Sequence, residues 1–158
     1  MSTHPPPAER MRDLRQTAEH YRMQAAGGQT FDARREPYAQ ALRGLRPQLL
    51  EEQVKLNDPG ASLYLLNSLA QDGWDGLLRY YEGEVYRMRD GPGDAERAST
   101  AYAAAVSLPD APPQAHRAHG YALLKAGARE DGKASLRRYL ELAPDASDAA
   151  MIEFTLNQ

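Results

Sequence analysis

Residues 113–146 read PQAHRAHGYALLKAGAREDGKASLRRYLELAPDA, and the placement of the small residues in this stretch sets the fold. Two helical segments stand in it, at about 113–126 and 130–142. With Pro113 as position 1, Gly120 falls at 8, Leu123 at 11, Gly132 at 20, Leu136 at 24, Tyr139 at 27 and Pro144 at 32. Small residues at 8 and 20 let two helices cross closely. The large residues fill the remaining gap, and the proline stops the second helix.

The preceding segment repeats the scheme in phase. Gly83 and Tyr86 take positions 8 and 11, and Ala98, Tyr102, Ala105 and Asp110 take 20, 24, 27 and 32, with a turn three residues longer around Asp90 to Asp94. Upstream, Ala61, Leu65, Ser68 and Gly73 keep the second-helix spacing, while their first helix is degenerate. A closing helix follows at 147–156. The pattern resembles the tetratricopeptide repeat (TPR). That resemblance implies an all-α, TPR-like α-solenoid of antiparallel helix pairs, for which about three units are the minimum of a stable array. It also implies a protein or peptide ligand in a groove lined by the first helix of each pair. The groove positions are then Leu77, Tyr80, Glu84, Arg87 and Met88 in one pair, and Gln114, Arg117, Tyr121, Leu124 and Lys125 in the next. Tyrosine offers apolar area with a polar handle, and Arg87, Arg117 and Lys125 are placed to meet a peptide carboxylate.

Outward from these pairs the chain stays helical in pattern. Met11, Leu14, Ala18, Tyr21 and Ala25 recur at three- and four-residue steps and predict an extra N-terminal helix over Ala8–Ala26. Gly27-Gly28 ends it, and residues 28–34 read as a loop. Pro37 opens a second helix through Leu45, and Pro47 either kinks it or starts another. Further helices are expected at about 49–56, 61–72 and 75–89, and one led by Asp94 as N-cap and running to Leu108. Residues 1–34 thus form an N-terminal segment, and 35–158 a helical repeat domain. Alanine, the best helix former, is abundant. Only two phenylalanines are present, and no segment alternates as a half-buried strand would.

Composition narrows the function. The chain has 158 residues, no cysteine and a net charge of −3. A disulfide framework, a thiolate zinc site and a cysteine nucleophile are therefore excluded, and a general nucleic-acid binder is disfavoured. No apolar run reaches the length of a membrane span, and the N-terminal residues lack the apolar core of a signal peptide. HExxH, G-x-S-x-G and Walker A patterns are missing from the sequence. His116 and His119, three apart on one helix, form a chelating pair without a third ligand at motif spacing. No catalytic residue and no cofactor is expected in this chain.

One further stretch points to a family. Ser2-Thr3-His4-Pro5-Pro6-Pro7-Ala8-Glu9-Arg10-Met11, with Leu14, resembles the end of the catalytic domain in HtpX-like zinc metalloproteases. Thr3-His4-Pro5-Pro6, Glu9-Arg10 and Leu14 match that pattern, with Met11 in place of an isoleucine. In the periplasmic, β-barrel assembly-enhancing branch a TPR domain follows at once, and Arg137–Asp145 with Ala150–Phe154 is similar to its closing phrase. The resemblance implies the non-catalytic, substrate- or partner-binding region of such a protease, in the periplasm or cell envelope. Misfolded outer-membrane proteins or an assembly complex are the implied partners. Zinc is expected only where a catalytic domain is attached, and His4 would then lie near its cleft. The alternative is a free-standing TPR adaptor unrelated to proteolysis.

Overall fold

The computed structural model describes residues 7–26, 40, 42 and 44–158. Thr3-His4-Pro5-Pro6, the loop expected over 28–34 and most of the helix expected from Pro37 lie outside the described residues. The fold is all-α, and no strand occurs among the described residues. Helix α1 spans Pro7–Ala26, opened by a proline that fits the first turn. Leu14 and Tyr21 of its apolar stripe are exposed, as is Met23.

Leu45–Gln158 forms a unit of its own. It holds α2 (Arg46–Lys55), α3 (Pro59–Leu69), a 3-10 turn (Ala70–Asp72), α4 (Gly76–Arg89), α5 (Asp94–Val106), α6 (Pro113–Lys125), α7 (Arg129–Leu142) and α8 (Ala149–Leu156). Prolines sit in the first turns of α2, α3 and α6, where the missing N–H is not needed. Pro47 therefore starts a helix and does not kink one. Asp58 and Asp75 cap α3 and α4 by accepting from the amides of Ala61 and Leu78. Asp110 adds a bond at the start of α4, its Oδ1 accepting the Gly76 amide at 3.0 Å.

The α4–α5 turn departs from expectation. Gly93, with φ at 75°, holds the N-cap place, and Asp94 is the first helical residue. The Asp94 carboxylate folds back to accept the Gly91 amide at 3.0 Å. It also accepts from Arg89 Nε and Nη2, each at 2.6 Å, and from Arg97 Nη1 at 2.9 Å. The group is buried, and its hydrogen bonds from Arg89 hold the carboxyl far below the usual range against the cost of desolvation. Asp94 thus ties the long turn together. Asp90, at φ 49°, supplies the other left-handed residue that the turn requires.

Most helices of this unit pack chiefly on their neighbours in the chain, but α2 packs more on α4 than on α3, and α4 also touches α6. One apolar cluster joins Leu50 and Val54 of α2, Leu66 of α3, and Leu78, Tyr81 and Val85 of α4. Tyr81 donates to the Pro47 carbonyl at 2.8 Å, which satisfies its buried hydroxyl. A second cluster joins Leu136 and Tyr139 of α7 to Ile152 of α8. Between the clusters lie small buried residues, Ala98, Ala101 and Ala105 of α5 and Ala115 of α6. Burying each large aliphatic side chain contributes about 2 kcal/mol relative to exposure.

Candidate functional site

Helices α4 and α6 carry all ten candidate groove residues, and glycine fixes how each helix meets its partner. A Cβ on Gly83 would stand 2.3 Å from the Tyr102 ring of α5. A Cβ on Gly120 would stand 2.8 Å from Leu136 Cγ and 2.9 Å from the Gly132 carbonyl of α7. Gly132 in turn faces Leu124 and the Gly120 carbonyl. The same two positions, 8 and 24, therefore meet in both pairs. Both pairs are antiparallel, because Arg89 meets Asp94 near the turn while Glu84, earlier in α4, meets Tyr102, later in α5. In α6–α7, likewise, Leu124 meets Gly132 while Gly120 reaches Leu136.

On α4, Tyr80 and Glu84 share one polar–aromatic cluster. Tyr102 donates to Glu84 Oε1 at 2.6 Å, and Arg87 donates to both Glu84 oxygens, at 2.7 and 3.2 Å. The Tyr80 ring lies 6.3 Å from that of Tyr102 and 5.0 Å from that of Tyr81. Burial pushes the Tyr80 and Tyr102 hydroxyls well above the usual tyrosine range, and the Glu84 charge adds to it. Burial likewise pushes Tyr81 up to about 12. All three are neutral at physiological pH, and Tyr81 and Tyr102 act as donors. Arg117 of α6 lowers the Tyr80 value, so its charge reaches the same cluster.

Arg117 is committed within the chain. It donates to Asp148 Oδ2 at 2.6 Å and lies 5.5 Å above the Tyr139 ring, while Tyr139 donates to Asp148 Oδ1 at 2.8 Å. Arg117 thus ties α6 and α7 to the residue that precedes α8. Burial pushes the Asp148 carboxyl up, and the bonds from Arg117 and Tyr139 more than reverse this, so it titrates below the usual range.

The remaining candidates divide. Leu77 packs beside the first apolar cluster, and Leu124 fills the space above Gly132. Gln114, Arg87 and Lys125 are exposed, as are Met88 and Tyr121, at 37% each. Of the cations singled out for a ligand carboxylate, Arg87 and Arg117 already hold Glu84 and Asp148. Sequence spacing shows the Glu84–Arg87 pair, three residues apart on one helix. The Arg117–Asp148 pair, 31 residues apart, has no local signal. Asp148 is therefore not legible from spacing, and Tyr102, legible at position 24 as a packing residue, gives no sign that its hydroxyl reaches Glu84 across 18 residues. Among the described residues no group of three or more His, Cys, Asp or Glu is gathered as a metal site would need. Nor does any described helix have the length and apolarity to cross a membrane.

Compared with protein-family models, with curated proteins and with solved structures, the chain matches none.

Proposed function

We propose that residues 45–158 are a TPR-type module that binds protein segments without catalysis, on the face where α4 and α6 stand together. The observation that carries this reading is the recurrence of one contact, Gly83 on Tyr102 and Gly120 on Leu136, in successive helix pairs. A repeated pair places equivalent first-helix residues side by side, and Tyr80, Tyr121 and Lys125 then offer two aromatic rings and a cation to a ligand. With the Thr3-His4-Pro5-Pro6 resemblance, the module is the partner-binding region of a periplasmic HtpX-like zinc metalloprotease that acts in envelope protein quality control. Its ligands are then misassembled outer-membrane proteins or their assembly complex. The sequence holds no HExxH donor set, so in this reading zinc chemistry belongs to an attached catalytic domain.

Two measurements test this reading. An urea-unfolded outer-membrane β-barrel protein, diluted into buffer with the chain, is expected to bind it. Tyr80→Ala combined with Tyr121→Ala weakens that binding while leaving helicity unchanged. Unchanged affinity removes the site from this face. An immunoblot of fractionated source cells is expected to show a band far heavier than 17.5 kDa in the envelope. A soluble band at that mass favours the free-standing adaptor.

A further inference from the structure

Four cations stand at equal steps along the α6–α7 pair. Lys125 closes α6, Arg129 opens α7 after the turn at Gly127, and Lys133 and Arg137 follow on α7. Each is four residues from the next. Lys125, Arg129 and Arg137 are exposed, and Lys133 is half-buried. Every other lysine and arginine of residues 45–158 holds a carboxylate at 2.5–3.0 Å. These four make no ion pair among the described residues. Glu130 precedes Lys133 by three residues, the spacing at which Glu52 holds Lys55 and Glu84 holds Arg87, yet it does not pair with it. Arg129 also sits at a helix N-terminus, the end where the backbone dipole disfavours a cation. Contacts within the chain thus give no reason for the row.

We propose that this row is a docking strip for an acidic segment of another protein. A four-residue step rises about 6 Å along a helix and turns by only about 40°, so Arg129, Lys133 and Arg137 follow one ridge of α7. An extended peptide places alternate side chains on one face about 7 Å apart, so carboxylates at every second residue meet the three cations in turn. Lys125 lengthens the strip toward α6. Charge selects this occupant over broader anions. The chain has a net charge of −3, and a bilayer or a nucleic-acid duplex is repelled wherever it overhangs the ridge. A single acidic strand keeps its charges within about 8 Å of the cations, the screening length at physiological salt. One exposed pair is weak, and three in register act as a network. The strip lies on the second helix of its pair and does not depend on Tyr80 and Tyr121 of the first helices.

Fluorescence anisotropy of the full chain with a labelled peptide of alternating glutamate and serine reads the strip. The native chain is expected to bind the peptide at about 50 mM salt and to release it as salt rises. Arg129→Gln, Lys133→Gln and Arg137→Gln together are expected to weaken binding at least about tenfold. Lys55→Gln with Arg138→Gln takes two cations from outside the row, and Tyr80→Ala with Tyr121→Ala alters the α4–α6 face. Each of these pairs is expected to change affinity by less than about threefold. Absence of binding by the native chain, or undiminished binding by the triple variant, overturns the proposal. Tighter binding of the native chain to phosphatidylglycerol vesicles or to duplex DNA than to the peptide overturns it as well. A second readout needs no variant. Backbone amide NMR signals of the native chain are expected to move most over residues 125–137 when the peptide is added, and largest shifts elsewhere contradict the assignment.

Discussion

In the α4–α5 pair the space above Gly83 is filled by an aromatic ring whose hydroxyl needs a partner. In the α6–α7 pair the space above Gly120 is filled by Leu136, which needs none. The first solution recruits Glu84 as acceptor and Arg87 to neutralise it. The second needs a closer approach, and a second glycine, Gly132, stands where the first pair has Ala98. One crossing rule thus accepts either a polar–aromatic or a purely aliphatic filling. The choice decides which substitutions each pair tolerates.

The widest gap between the pairs and a chain without such crossings comes from bulk. Gly120→Trp has no space beside Leu136 and the Gly132 carbonyl, and is expected to cost about 4 kcal/mol or more, unfolding the α6–α7 pair. A melting temperature unchanged by it removes the crossing. Cutting the filling side chain comes next. Leu136→Ala leaves a cavity in the second cluster and is expected to cost about 2–5 kcal/mol in a denaturant titration. In the other pair, Tyr102→Phe keeps the ring and removes one donor from Glu84, which Arg87 still holds, at about 1–2 kcal/mol. A Tyr102→Phe loss as large as that of Leu136→Ala would erase the distinction between polar and aliphatic fillings. The smallest effect belongs to the surface. Arg138 and Glu141 are 54% and 62% exposed, and Arg138→Ala at neutral pH is expected to change stability by less than about 0.5 kcal/mol.

The contrast also explains how much the sequence could tell. The helices from Gly76 onward follow from glycine, proline and leucine spacing, because a helix crossing is local in sequence when the turn is short. The sequence predicts Asp94 as an N-cap, since aspartate before a helical run is the usual sign. In the structure Gly93 takes that place, because a turn with left-handed Asp90 and Gly93 brings the carboxylate back to Gly91 and between two arginines. Spacing named Tyr80, Glu84, Arg87 and Arg117 for one face. It could not show that Arg117 is held by Asp148, because that contact joins α6 to a residue beyond α7. Position alone places Leu77 and Leu124 along the groove, and the apolar neighbours that both also meet are visible only in the packed helices.

The central claim is that Gly83 and Gly120 are the same position in two copies of one unit. Thermal melts of Gly83→Ala and Gly120→Ala, beside the control Gly60→Ala, test it most directly. In an open helix the exchange would stabilise by up to about 1 kcal/mol. At Gly60 the new methyl meets Asp58 at an ordinary 3.5 Å, so little loss is expected. At Gly83 it meets a buried ring at 2.3 Å that cannot turn without losing Glu84, and at Gly120 it meets a backbone carbonyl at 2.9 Å. Both variants are predicted to melt well below the native chain and below the control. If either one melts at or above the control, the two glycines are not equivalent and the repeat reading fails.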